Sequence, residues 1–161
     1  MFSIGEYISH PMHGAGMIES IAKRRVNGQD KEYYVLRLPT GNMTVMIPTD
    51  TCENIGVRPI VDEKTALEVL SVVASLEIDM TSNWNQRYRD NMERLKTGNL
   101  FEVARVIKGL VMRDIEKGLS TGERKMLRSA RQILVSEIAL SAKLESETVE
   151  TRLDRELASL Q

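Results

Sequence analysis

The chain has 161 residues, 42% hydrophobic and 28% charged, a balance that suits a soluble globular protein of one ordinary domain or two small ones. One cysteine and two histidines exclude an internal disulfide and a zinc-finger ligand set, so no structural metal is expected. The net charge of −1 hides an asymmetry, because residues 82–143 carry a net +6 between segments of −4 (61–81) and −3 (144–161).

No stretch approaches the roughly 18 apolar residues of a membrane span, and the opening MFSIGEYISHP lacks a signal-peptide pattern. A cytoplasmic protein without membrane contact is expected. The first 60 residues read as short strands broken by turn formers: EYIS, GMIESIAKRR, the Asn27-Gly28 turn, EYYVLRL, the Pro39-Thr40-Gly41-Asn42 turn and MTVMIP. Two hairpin signals about a dozen residues apart predict a small, strongly bent sheet or SH3-like barrel. From Asp62 the period becomes helical, and no proline follows Pro59. Helices are predicted at about 62–75, with Ala66, Leu67, Leu70 and Val73 on one side; from Ser82, as N-cap, to Gly98; and over 99–117, with an apolar stripe of Leu100, Val103, Ile107, Leu110 and Val111. Ser120 and Glu123 form a capping box for a fourth helix to about Ala142. An acidic helix over about 146–159 is expected to dock through Leu153, Leu157 and Leu160. The fold class is therefore α+β, with a barrel over 1–60 and an all-helical unit over 61–161.

No recognisable catalytic set is present. His10 and His13 in HPMHGAG span a strand-to-turn connection, and Cys52 lacks an activating neighbour. Gly14 and Gly16 fall between strands rather than at the strand-to-helix turn a phosphate loop needs. The basic block is more informative. Arg124, Arg128 and Arg131 share one ridge of the fourth helix, where either Glu123 and neighbouring acids screen them or an anion lies across them. In the second helix Trp84, Tyr88, Met92 and Leu95 follow the spacing of a core stripe. Yet Trp84 lies in the first turn with Arg87, Arg89 and Arg94 on the same helix, which is also how a ring is set to enter a base step while arginines hold the phosphates.

Four blocks in order, HPMHGAGMIESI, KEYYVLRLPTGNMTVMIP, NWNQRY and GLSTGERKMLRSARQILVSEIAL, resemble the CarD/CdnL-type bacterial RNA polymerase-binding transcription regulators over nearly the whole chain. The resemblance implies a Tudor-like RNA polymerase-interacting domain at 1–60 that binds the polymerase β subunit, and a helical DNA-binding domain at 61–161. The latter contacts promoter DNA at the upstream edge of the transcription bubble, where a tryptophan wedges into the minor groove. Trp84 matches that wedge. Arg87 and Arg89 match basic residues beside it, and Arg124 a basic position at the start of the fourth helix. Arg24 and Val26 match polymerase contact positions. Met46 stands where well-studied members carry a polymerase-binding arginine, His10 replaces a tyrosine, and Gln86 replaces a basic residue beside the wedge. The expected protein is a monomeric, non-enzymatic regulator without a cofactor. It is tethered to polymerase, reads little DNA sequence and stabilises the open complex. The rival reading is a protein adaptor on polymerase that makes no direct DNA contact.

Overall fold

The Asn27-Gly28 pair has positive φ at both residues, 53° and 78°, the backbone that a two-residue hairpin turn requires. It joins β2 (Gly14–Val26) to β3 (Gln29–Arg37), the longest strand pair of an antiparallel sheet that also contains β1 (Tyr7–His10), β4 (Thr44–Pro48) and β5 (Arg58–Pro59). The structure, a computed structural model, describes residues 1–39, 43–79 and 83–161; the expected turn residues Thr40, Gly41 and Asn42 lie outside them. The strand order is β4-β3-β2-β1-β5. A register shift between Ile18 and Ser20 marks a bulge in β2, a device that bends a strand and increases its twist. The sheet bends around Phe2, Ile8, Ile18, Tyr34, Leu36, Leu38, Ile47, Cys52 and Val57, which form the first core.

Two short elements were not predicted from the sequence: α1 (Cys52–Ile55) and β5 itself, which pairs Ser9 with Arg58 and Ile8 with Pro59. Both are too short for periodicity, and a proline is tolerated in β5 because that strand is an edge.

The helical region holds α2 (Glu63–Val72), a 3-10 turn (Val73–Ser75), α3 (Trp84–Lys96), α4 (Leu100–Lys117), α5 (Thr121–Ala142) and α6 (Ser146–Ala158). Side chains satisfy the first amides of four of these helices. Asp62, Asn83, Asn99 and Ser120 accept from the backbone N–H groups of Thr65, Gln86, Phe101 with Glu102, and Glu123. The cap of α3 is thus Asn83; Ser82, the expected cap, lies outside the described residues. A second core joins Ala66, Val69, Leu70 and Val73 of the first helical stretch, with Val69 in place of the expected Leu67, to Leu100, Val103, Ile107 and Leu110 of the predicted α4 stripe, Val111 packing against it, and to Ala130, Leu134 and Ile138 of α5. Val149, Leu153 and Leu157 of α6 complete it, with Leu160 partly buried against it. Among the described residues no helix is long and apolar enough to cross a membrane.

The two cores are joined through α5, which lies against β2. Ser136 Oγ accepts from the Ala15 N–H at 3.0 Å. The approach is so close that a Cβ on Gly14, whose φ is +84°, would lie 2.6 Å from that hydroxyl oxygen. Glu137, fully buried, takes a two-pronged bond from Arg58 of β5 at 2.6 and 2.9 Å and a third from the Val61 N–H at 2.8 Å. Arg58 Nε also donates to the Gly98 carbonyl at 2.6 Å. Ser141 Oγ donates to the Val61 carbonyl at 2.6 Å. Barrel and bundle are therefore fixed to one another by directional bonds, one buried and the rest partly buried.

Candidate nucleic-acid interface

The seam that α3 turns inward is Arg87, Asn91 and Leu95; of the predicted stripe Leu95 lies on it, and Arg87 and Asn91 take the places expected for Tyr88 and Met92. Tyr88 and Met92 pack at the edge of the core, and Trp84 is left 44% exposed. The ring is nonetheless anchored. It stacks on Tyr88 with centroids 5.3 Å apart and planes 21° from parallel, and its Nε1–H donates to Ser120 Oγ at 3.0 Å. Both rings lie over Gly122, where an added Cβ would stand 3.7 Å from Tyr88 and 3.9 Å from Trp84.

Arg87 corrects an expectation. It is only 2% exposed and ion-paired to Glu123, itself 2% exposed, with Nε to Oε2 at 2.7 Å and Nη2 to Oε1 at 3.3 Å. Burial raises the Glu123 carboxyl pKa, but the bonds and charge of Arg87 and the bonds from Ser120 outweigh it, and the pKa falls below the ordinary carboxylate range. A guanidinium held in this way is turned inward and is not presented at the surface. Opening the pair would leave a charge buried, at a cost of about 3–5 kcal/mol. Arg87 belongs to the support beneath Trp84, not to the exposed basic surface.

The other basic positions differ among themselves. Arg89 is exposed and donates to Gln86 Oε1 at 3.3 Å. Arg124 is exposed and donates to the Leu119 carbonyl at 3.0 Å, which leaves its charge without a counter-ion among the described residues. Arg128 is exposed and has no ion-pair partner among those residues. Arg131, the third member of the predicted ridge, pairs with Asp154 of α6 at 2.7 Å. The acid that neutralises part of the ridge is thus Asp154; Glu123 is taken up by Arg87. Arg94 is also occupied, by Asn91 and Glu102.

On the barrel, cross-strand register puts Arg24 opposite Lys31, Val26 opposite Gln29 and Met46 opposite Val35. Because side chains alternate along a strand, Arg24, Val26 and Met46 share one face of the β2-β3-β4 ribbon. Arg24 is exposed, Val26 half-buried and Met46 40% exposed. β4 is an edge of the sheet.

His10 and Cys52 are both taken up in the barrel. His10 is buried, its Nδ1 accepts from the Met12 N–H at 3.0 Å, and burial with the nearby His13 lowers its pKa to about 4. Cys52 packs in the barrel core, where burial raises the thiol pKa. Residue spacing missed the Arg87–Glu123 pair and the Glu137 latch. The Ser120/Glu123 cap was legible, but not its bond to the indole.

Residues 2–61 match the family model described as CarD-like/TRCF RID domain, and residues 68–154 match that described as CarD, C-terminal domain. The chain is also 39% identical over 138 residues, which span 86% of it and 90% of the relative, to YdeB of Bacillus subtilis (strain 168), a protein named as a candidate transcription factor.

Proposed function

This chain belongs to the CarD-like family of transcription regulators, a non-enzymatic family, and from that membership we propose that it clamps promoter DNA to RNA polymerase as a monomer. The barrel docks on the polymerase β subunit through the face that carries Arg24, Val26 and Met46. The bundle then meets the upstream edge of the transcription bubble. Trp84 enters the minor groove at a distorted step, while Arg89, Arg124 and Arg128 approach the flanking phosphates and Arg131 contributes less. Little sequence is read, since phosphate contacts position without specifying.

The observation that carries this reading is the 44% exposure of an otherwise anchored Trp84 at the bundle end where Arg89 and Arg124 are also exposed. Exposed apolar side chains are common on this surface, but an aromatic ring held rigid beside exposed arginines is the combination that base stacking with phosphate contact uses. Stacking is worth about 1–3 kcal/mol per base, which, if gained only in the open state, moves the open-to-closed equilibrium about fivefold to 150-fold. The fixed joint between barrel and bundle supports the same reading, because a rigid tether presents the ring at high effective concentration. Emission from Trp84, the sole tryptophan, tests it. Quenching is expected when both polymerase and promoter are added, with little change from either alone. Emission unresponsive to DNA would instead favour an adaptor that touches polymerase only.

A further inference from the structure

Ser120 ends a continuous bonded path that begins at a buried charge. Arg87 holds Glu123 through both carboxylate oxygens. Glu123 Oε1 also accepts from the Ser120 hydroxyl at 3.3 Å, and the Glu123 N–H donates back to Ser120 Oγ at 3.2 Å. Ser120 Oγ also accepts from Trp84 Nε1–H at 3.0 Å. A serine hydroxyl has one proton to donate and two lone pairs to accept with. All three are engaged, so the hydroxyl has no freedom to rotate without losing a bond. Its location is fixed in turn by the N-cap of α5, and the carboxylate that orients it is held by a guanidinium 2% exposed. On the other side, Tyr88 stacks against the indole. The ring is therefore restrained at its N–H and on one face.

We infer that Ser120, Glu123 and Arg87 are positioning residues, which hold the Trp84 indole in its DNA-entering pose before DNA arrives and occupy its N–H so that the bare ring is what the DNA meets. The inference rests on the wedge reading above and adds two things to it. Arg87 acts through Glu123 and Ser120 rather than on phosphate. The indole carries no free donor to a base edge, which leaves stacking and shape as its means of recognition and fits a contact tolerant of sequence. Pre-setting the ring matters because ordering a mobile side chain on binding subtracts from the stabilisation gained.

The test uses the full chain with Ser120→Ala, Ser120→Thr and Trp84→Ala, each first shown by circular dichroism and polymerase binding to keep its fold. Time-resolved anisotropy of Trp84 is read in the free protein, and open-complex lifetime with the cognate polymerase. In the wild type the indole is expected to tumble with the whole molecule. Ser120→Ala should add a fast local component and shorten the open-complex lifetime about twofold to tenfold, the factor that ordering one side chain represents. Ser120→Thr, which keeps the hydroxyl, should restore both. An indole that stays rigid in Ser120→Ala overturns the inference, since Tyr88 alone would then suffice. A loosened indole with an unchanged lifetime also overturns it, and leaves the wedge reading standing if Trp84→Ala shortens the lifetime. If Trp84→Ala has no effect, the wedge reading fails and the functional role of the three residues fails with it.

Discussion

Two arginine–glutamate pairs are anchored on α5, and the same chemistry serves different ends. Glu123 lies near the start of the helix and Glu137 near its end, a separation of roughly four turns or about 21 Å. Glu123 pairs with Arg87 inside the bundle, both 2% exposed, and its bonds lead to one exposed ring. Glu137 is fully buried but its partner Arg58 is 28% exposed, and its bonds join the barrel to the bundle. One pair sets the pose of a side chain; the other sets the relation of two units. α5 thus runs from the β5 edge of the barrel to the exposed ring, and the β4 edge with Met46 lies at the other side of the sheet. A buried pair is seldom retained for stability alone, since apolar residues of similar volume often serve as well.

The sharpest way to separate the two pairs is to remove each carboxylate. Glu137→Ala leaves Arg58 and the Val61 N–H without their shared acceptor, and a loss of about 3–5 kcal/mol is expected. In urea the barrel and bundle should then unfold in separate steps. Glu123→Ala is expected to lose a similar amount in a single step, with altered Trp84 emission. If Glu137→Ala still unfolds in one unchanged transition, Glu137 is not what joins the units.

Acid should distinguish the regions by pH window. The folded barrel keeps His10 neutral, its pKa lowered to about 4 from 6.5, so as pH falls the unfolded chain takes up the proton first. Stability is complete above about pH 6.5 and declines by up to about 3 kcal/mol toward pH 4. The lowered Glu123 pKa has a different window. Its contribution is present above the ordinary glutamate range and is lost only as pH falls through that range and below. Urea midpoints from pH 8 to 3 should decline in two stages, with His10→Gln flattening the upper one. A midpoint unchanged between pH 6.5 and 4 would contradict the burial assigned to His10.

The smallest effects concern the arginine ridge. Arg128→Ala is expected to reduce the salt dependence of promoter binding in the polymerase complex by about 0.9 in the log–log slope. Arg131→Ala should change it less, because Asp154 already neutralises that charge. The reverse order would show that α6 releases Arg131 when DNA binds.

Much of the fold was legible because periodicity and caps are local. The Asn27-Gly28 turn, the stripe of α4 and the Ser120 cap each declare themselves within a few residues. The site was less legible because its decisive contacts are not local. Arg87 reads as a surface arginine until Glu123, 36 positions away, supplies the counter-charge that lets it occupy the inner seam. Trp84 was ambiguous for the same reason: its spacing suits a core stripe, and the arginine on the true seam turns the ring outward. Arg58 and Glu137, 79 positions apart, left no pattern in either segment. Met46, read against the resemblance as a departure, lies opposite Val35 on the exposed ribbon face, an apolar side chain where the resemblance expects an arginine.

The measurement that bears most directly on the wedge is the lifetime of promoter open complexes formed by the cognate polymerase alone, with the wild-type protein, and with a folded, polymerase-binding Trp84→Ala variant. The wild type is expected to prolong the lifetime and the variant to lose about fivefold or more of that effect. A variant that prolongs it as well as the wild type would contradict the wedge and leave the tether and the exposed arginines as the source of the activity.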